Sequence, residues 1–521
     1  MKSAIWNRLR VLPRVVLAGL FGLSVLLAGI GCWGPVSCAA ADEPSVGASD
    51  SADETADPTK SYALVSQRTD GTVDLVSKQI DVTGKLLIRV DTTTGESTST
   101  PNSDKAGQAD GKAAEQTQGT DKTDAKTSDS SKIKEQQIAL KVSSKQEYEE
   151  MLITDGNLLQ GEFAKPIRGA MFFTSDETTI TVGDTTEKPA LDKDQPLVGV
   201  EIQNTGSNFF RPNGLLTREE RDLIDQQGCT LLLDKLLPNR TDMKIGDTWK
   251  QSPEVMAALL QLDLVYQIDI KTTFSEVKSG VAILNTEGWI EGSSDSTSSK
   301  INIEGKMYFD LKRGRIIWFG MIVREKRAAG YIAPGMDVAE RLQYRIKPLL
   351  QSSNLTEKTV SEIRFDPALY NQLLFKGPEK TWEFVQDSHW YPMTMNDREV
   401  TFRLIKGGNL IAQCTVATPL NVKETQNLTM EDFASNIQKA LGAGFEKVLN
   451  QNVSRRDDGT EVYRVEVSGT ANELPLRWFY YLITKRGEEP RQKSVVFTVE
   501  NDLLEQFNGS DVQMIETFQW K

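Results

Sequence analysis

Residues 281–291 read VAILNTEGWIE, followed by KINIEGKMYFDL at 300–311 and RIIWFGMIVREKR at 315–327. Each run is rich in β-branched and aromatic residues, and each stops at a cluster of turn formers. The breaks are Gly292–Ser299 and Lys312-Arg313-Gly314. Val265–Phe274 comes before them, across Lys278-Ser279-Gly280, and Val338–Lys347 comes after, across Ala328–Gly335. Long strands at even spacing predict an antiparallel meander, as a sheet or partial barrel. Trp318, Phe319, Met321 and Ile322 are expected to face a core or cover the sheet. A curved sheet of this kind also suits an apolar ligand, so an apolar-ligand carrier is one reading of the chain.

Working outward, Tyr62-Ala63-Leu64-Val65 and Val73-Asp74-Leu75-Val76 flank Asp70-Gly71, a hairpin signal. Gly84–Val90 and Ile138–Val142 read as further strands. Ser144 with Glu147 resembles a capping box and predicts a short helix near 145–153. Residues 160–212 read as strands and turns. Thr217 with Glu220 is a second capping box, opening a helix through Gln227 that Gly228 ends. Pro253 suits a first helical turn and predicts a helix over 254–262. From Asp91 to Ser131 there is no Val, Ile, Leu, Met, Phe, Trp or Tyr. Such a stretch has nothing to bury against the entropy of ordering, so 91–131 reads as a disordered insertion in a surface loop.

The C-terminal region alternates differently. Trp382–Met393, Val400–Ile405 and Asn409–Thr418 read as strands, the last two joined by Gly407-Gly408. Thr429 caps a helix with Glu431 and Asp432 near its positive end. Phe433, Ile437 and Leu441 mark its buried face, and Gly442 and Gly444 stop it. Strands follow at Phe445–Ser454, Glu461–Ser468, Leu476–Lys485 and Lys493–Glu500, then a helix over Asp511–Phe518. On Trp478-Phe479-Tyr480-Tyr481 the rings alternate faces, which fits a core on one side and either a covering helix or a docking stripe on the other.

This order resembles the superfamily that includes photosystem II PsbP, Mog1 and the bacterial DcrB-type envelope proteins. The stretches that carry the resemblance are Arg403–Thr418, the helix 430–441 and Trp478–Thr484. It implies a non-catalytic α/β sandwich used for docking or assembly, and it transfers no site residue. Leu231–Pro238, Gly246–Trp249, Phe309–Lys326, Gly335–Val338, Ile411–Cys414 and Phe479–Tyr481 resemble secreted proteins of planctomycete-type bacteria. That resemblance implies export and brings no activity.

The amino-terminal end reads as an export signal. Lys2, Arg8, Arg10 and Arg14 precede an apolar run, Val15–Ile30, and Ala39-Ala40-Ala41 precedes Asp42. The run is shorter than the roughly 20 residues that span a bilayer. A lipid anchor at Cys32 would call for Leu three positions earlier, where Gly29 stands, so simple cleavage after residue 41 is the expectation. Residues 42–60 then form a disordered acidic leader. Removing four basic and no acidic residues leaves 56 against 73, a net charge of −17. Such a surface repels phosphate backbones, which excludes nucleic acid as the expected partner.

Residue usage narrows the chemistry. Outside the signal only Cys229 and Cys414 remain. They make no disulfide framework, although one bridge between them stays open. Cys414 lies in an apolar run and reads as a buried hydrophobe. The one histidine, His389, sits in Ser388-His389-Trp390-Tyr391 and reads as a half-buried structural residue. No Gly-x-Ser-x-Gly, Cys-x-x-Cys or His-Glu-x-x-His occurs. Gly107 and Gly111-Lys112 fall one residue short of a phosphate-binding loop. Asp192-Lys193-Asp194 and Asp457-Asp458-Gly459 offer oxygens but read as turns. The expectation is therefore no catalytic, cofactor-binding or metal residue.

Taken together the sequence reads as α+β. A mostly antiparallel β domain with short helices spans 61–350, a connector spans 351–380, and an α/β sandwich with an antiparallel sheet spans 381–521. The expected role is a non-catalytic exported envelope protein, periplasmic or secreted, acting through an envelope protein or ligand. A carboxylate-based hydrolase of envelope polysaccharide or peptide is the alternative. It calls for an open cleft with two acidic side chains, one with a raised pKa.

Overall fold

A computed structural model describes residues 60–91, 133–153, 165–203, 206–294, 297–329, 334–419, 422, 428–487 and 489–521. The signal expected at 1–41 with Cys32, the leader apart from Lys60, and the insertion apart from Asp91 lie outside the described residues. So do Gly107 and Gly111-Lys112.

The chain is mostly antiparallel β, in several sheets. In the first part the strands are β1 (Tyr62–Leu64), β2 (Val73–Asp91), β3 (Ile133–Ile153), β4 (Ile167–Val182), β5 (Thr185–Glu187), β6 (Leu197–Gln203) and β7 (Gly206–Phe210). They continue as β8 (Arg240–Met243), β9 (Thr248–Lys250), β10 (Leu264–Lys278), β11 (Val281–Ser294), β12 (Thr297–Asp310), β13 (Arg315–Arg327) and β14 (Gly335–Leu349). One sheet runs β7-β6-β4-β3-β2-β14-β13-β12-β11-β10-β9, with β5 hung on β4. Two meanders thus meet where β14 lies along β2. The meander read from 263–345 is present, and its strands extend past the expected ends by up to a few residues.

Apolar side chains at alternate positions put one face of this sheet into a single core. A plug of short helices, Arg218–Ile224, Thr230–Leu236 and Pro253–Leu260, covers that face. Thr217 and Glu220 form the expected capping box, and Ser252 caps the third helix. Leu231, Leu232, Leu233 and Leu236 are buried in the same core as Ile80, Phe319 and Leu342. Each such leucine contributes about 1.5–3 kcal/mol over its exposed state. The first helix ends at Ile224, earlier than its pattern suggested. Gly228 (φ +79°) then makes a tight turn, and a Cβ there would lie 2.2 Å from Leu342 Cδ2.

Three expectations fail here. The strands flanking Asp70-Gly71 do not pair with each other. The turn forms, but β1 pairs with β8 and β2 with β3, because Arg68 turns inward between them to meet buried carboxylates. The segment 145–153 is not a helix. It belongs to β3, where Ser144, Gln146, Tyr148, Glu150 and Leu152 all face inward. The Ser144 hydroxyl shares a hydrogen bond with Thr178 rather than capping anything. Gly84–Val90 is not a separate strand but the second half of β2. Asp91 lies opposite Ile133, so the insertion leaves and re-enters at the end of a hairpin.

The stretch read as a connector carries short helices at Glu357–Ser361 and Pro367–Tyr370. Leu355, Ile363 and Tyr370 pack with Phe210 and Ala170 in a small cluster of their own. A second group of strands follows: β15 (Gln372–Lys376), β16 (Trp382–Asp387), β17 (Trp390–Met395), β18 (Glu399–Lys406) and β19 (Asn409–Ala417). It ends with β20 (Phe445–Arg455), β21 (Thr460–Ala471), β22 (Leu474–Lys485), β23 (Arg491–Glu500) and β24 (Gln519–Trp520). They form a seven-stranded sheet, β17-β18-β19-β23-β22-β21-β20, and a three-stranded one, β15-β16-β24. An aromatic core of Phe375, Trp382, Phe384, Phe402, Phe497 and Phe518 joins the two. The helix Met430–Leu441 covers part of the other face through Phe433 and Ile437. The run Trp382–Met393 is broken at Ser388-His389, which form a turn, so His389 is not within a strand.

The two parts meet along β15. Leu374 N donates to Leu216 O, and Leu373 belongs to the first core while Phe375 belongs to the second. Arg218 of the plug donates to the carbonyls of Ser388 and Trp390, the latter at 3.2 Å, and lies 4.5 Å from the Tyr391 ring centre. Arg218→Ala is expected to cost about 1–2 kcal/mol and to separate one unfolding transition into two. Calorimetry checks this, and an unsplit transition of unchanged midpoint would contradict it.

Candidate functional site

The inner face of the large sheet carries charge as well as leucine. Along β2 the inward positions are Asp74, Val76, Lys78, Ile80 and Val82, and along β3 they are Glu150, Tyr148, Gln146, Ser144 and Val142. The register sets Asp74 opposite Glu150 and Lys78 opposite Gln146. Two carboxylates face to face beneath a plug are unfavourable unless cations reach them.

Arg68 and Arg315 supply those cations. Arg68 Nη2 lies 2.5 Å from Glu150 Oε1 and 3.2 Å from Asp74 Oδ2, and its Nη1 lies 3.7 Å from Asp234 Oδ2. Arg315 Nη2 donates to both Asp74 oxygens. Thr230 of the plug donates its hydroxyl to Glu150 Oε2, and Tyr148 Oη lies 3.2 Å from the same hydroxyl. Burial works against the Arg68 charge, but Glu150, Asp74 and Asp234 outweigh it and raise its pKa. Burial raises Glu150 and Asp234 as well, and Arg68 only partly offsets this. Two guanidiniums thus hold three carboxylates from the sheet and the plug.

A second charged group lies further along the same face. Glu325 Oε1 accepts from Ser299 Oγ at 2.6 Å and from Arg327 Nη2 at 2.6 Å. Burial, with Glu325 nearby, pushes the Glu340 carboxyl up to about 7. Burial also pushes the Lys78 ammonium down to about 8, against the pull of Cys229, Glu340, Asp225 and Asp176. Lys78 Nζ lies 6.0 Å from the Tyr344 ring centre.

Raised carboxyls are what acid–base catalysis uses, so these groups are the ones to weigh. Glu150, Asp234 and Glu340 are 0%, 4% and 5% exposed. Glu150 and Asp234 are engaged by Arg68, and Glu150 by the Thr230 hydroxyl as well, while Glu340 is buried with no hydrogen-bond donor at Oε1. Glu150 of the sheet and Asp234 of the plug are thereby tied together through Arg68. Interior charges of this kind are absent from the sequence reading. The available signal was the period-two placement of Asp74 and Lys78 among Val76, Ile80 and Val82.

The residues weighed in the sequence fall elsewhere. His389 is half-buried at the β16–β17 turn, its Nδ1 2.6 Å from Asp387 Oδ1, and Asp387 is lowered from the ordinary carboxylate range despite burial because His389 bonds to it. Cys414 is buried in the aromatic core, and Cys229 lies at the plug turn beside Lys78; both are free thiols. Burial pushes the Cys229 thiol up to about 12. Asp192 accepts from Asp194 N and Gln195 Nε2, and Asp458 accepts from Thr460, as turn residues do. Among the described residues no three His, Cys, Asp or Glu side chains gather as a metal would require. Trp478 and Tyr480 pack beneath the Met430–Leu441 helix while Phe479 and Tyr481 enter the aromatic core, so that strand presents no docking stripe. Trp318 packs with Tyr308 on the outer face, and Phe319 and Met321 face the core.

No protein-family profile matches the chain, and no curated protein does. Among solved structures it is similar to cyanobacterial PsbP (CyanoP) from Synechocystis, at 12% identity, over 29% of this chain and 93% of that one, with a TM-score of 0.22. It is similar to the Ran-binding protein Mog1p of Saccharomyces cerevisiae at 8% identity, over 29% of this chain and 95% of that one, with a TM-score of 0.23. A BenF-like porin from Pseudomonas fluorescens aligns over 83% of this chain and 98% of its own at 8% identity, with a TM-score of 0.11. Scores this low bring no role and no residue to this chain. No helix among the described residues is long and apolar enough to cross a membrane.

Proposed function

We propose that the chain is a non-catalytic exported envelope protein, periplasmic or secreted, that acts by binding a protein or ligand. The single observation behind this reading is that the carboxyls with raised pKa, Glu150, Asp234 and Glu340, are buried, and that Arg68 holds the first two between sheet and plug. Catalytic carboxyls have to reach substrate, whereas these serve the fold. The order of basic start, apolar run and small residues at 1–41 supports export, as does the resemblance to secreted planctomycete-type proteins. The sandwich-like carboxyl-terminal region, 381–521, supports a docking or assembly role. The leucines of the plug pack on the face of the large sheet that an apolar ligand would use, which weighs against the carrier reading.

The test is a turnover screen of the chain from residue 42 onward on envelope polysaccharide and peptide substrates. The expected result is no turnover that depends on a carboxyl. Robust turnover abolished by Glu340→Gln or Glu150→Gln in a folded variant would establish the hydrolase instead.

A further inference from the structure

We propose that strand β20 is an interface at which a second copy of this chain adds its own β20, antiparallel and about a two-fold axis at Gln451. The interface is independent of the binding role proposed above. It begins with where β20 lies. The strand ends the seven-stranded sheet and pairs with β21 alone among the described strands. It runs for 11 residues, and every one from Glu446 to Arg455 is exposed. Val448, Leu449 and Val453 are 37%, 39% and 49% exposed. A long edge with unpaired N–H and C=O groups is a template for another strand.

The other terminal strands of the two larger sheets are short or interrupted. β17, at the far side of the same sheet, has 6 residues and carries Pro392 at a bulge. β7 and β9, which end the large sheet, have 5 and 3 residues. β20 has no proline, and between Lys447 and Arg455 it carries no charge. Its register with β21 settles which side chains share a face. Val448 lies opposite Val467, Gln451 opposite Val465 and Val453 opposite Tyr463, so these three stand on the face that the Met430–Leu441 helix covers in part. Asn450, Asn452 and Ser454 lie opposite Glu466, Arg464 and Val462 and stand on the other face. Val448 and Val453 share a face only because the register shifts between Val448 and Asn450, where Leu449 bulges.

Directly opposed residues of an antiparallel pair point to the same side of the sheet. A two-fold axis at Gln451 meets that condition on both sides of the bulge. Gln451 then faces Gln451 of the second copy, Asn450 faces Asn452, and Val448 faces Val453. Each exposed valine gains an apolar neighbour, and amide meets amide. Further out, Lys447 faces the uncharged Ser454. Glu446 comes beside Arg455 of the second copy, whose guanidinium is mostly exposed beyond its bond to Glu461. The two ends of the strand are thus complementary in charge, and its middle is complementary in polarity. Without the bulge Val448 would meet Ser454 and point to the wrong side, so the bulge belongs to the fit.

Sedimentation equilibrium on the full chain tests this. The weight-average mass should rise from 57.9 kDa toward twice that value as concentration passes through roughly 1–100 μM, the range of a small interface. Gln451→Lys and Gln451→Glu each set like charges across the axis and should weaken association at least about tenfold. Residue 451 is exposed at the sheet edge, so both variants keep the fold. An equimolar mixture of the two sets lysine against glutamate and should recover the affinity of the parent chain. A parent chain that stays monomeric at about 100 μM, or a mixture no tighter than either variant alone, would overturn the interface.

Discussion

Arg68→Met is expected to destabilise the protein by about 3–5 kcal/mol, the range for removing one partner of a buried ion pair. The substitution keeps most of the side-chain volume, so packing loss contributes little. What remains is Glu150 with the Thr230 hydroxyl as its donor, and Asp234 without its nearest guanidinium. Asp74 keeps Arg315. Because the Glu150 carboxyl is already raised by burial, it can accept a proton once Arg68 is gone. The loss should therefore be smaller at pH 5 than at pH 8. Denaturant midpoints at both values check this. A loss below about 1 kcal/mol, the scale of an exposed pair, would mean that Arg68 is not the counter-ion the geometry makes it.

Trp382→Ala should cost a similar amount, about 3–5 kcal/mol, for a different reason. The ring is 1% exposed and stacks on Phe518 at 5.7 Å with planes 14° apart. It also lies over Gly377, where a Cβ would come within 2.3 Å of the indole, and under the Lys493 ammonium at 5.2 Å. Truncation leaves a void between the three- and seven-stranded sheets that rigid strands cannot collapse. Since Phe518 and Trp520 close the chain against this ring, the carboxyl terminus should lose exchange protection first. If the variant melts with the parent chain, the aromatic core does not join the two sheets.

The strands of 264–349 and 399–500 were legible because their apolar residues alternate and their turns carry glycine at the breaks. Thr217 and Thr429 were legible as caps because a side-chain oxygen three residues before an orphan N–H has a local meaning. The strand β3 was not. Its inward positions are Ser144, Gln146, Tyr148 and Glu150, so burial runs against hydropathy and the local Ser-x-x-Glu spacing imitates a helix start. The same inversion hid the candidate site. Asp74, Lys78, Glu150 and Glu340 look like solvent-facing charges until the register sets them on the inner face of the sheet, with Asp74 opposite Glu150. Nor is anything near Asp70-Gly71 able to announce that Arg68 is drawn inward, because its partners lie 6, 82 and 166 positions away at Asp74, Glu150 and Asp234.

A double-mutant cycle on Arg68 and Glu150 tests most directly whether the interior charges serve the fold. If they do, Arg68→Met with Glu150→Gln recovers at least half of the stability that Arg68→Met loses, because the stranded carboxylate is gone. If the two losses simply add, the carboxyl and the guanidinium are not there for each other, and the sealed network is not what holds sheet and plug together.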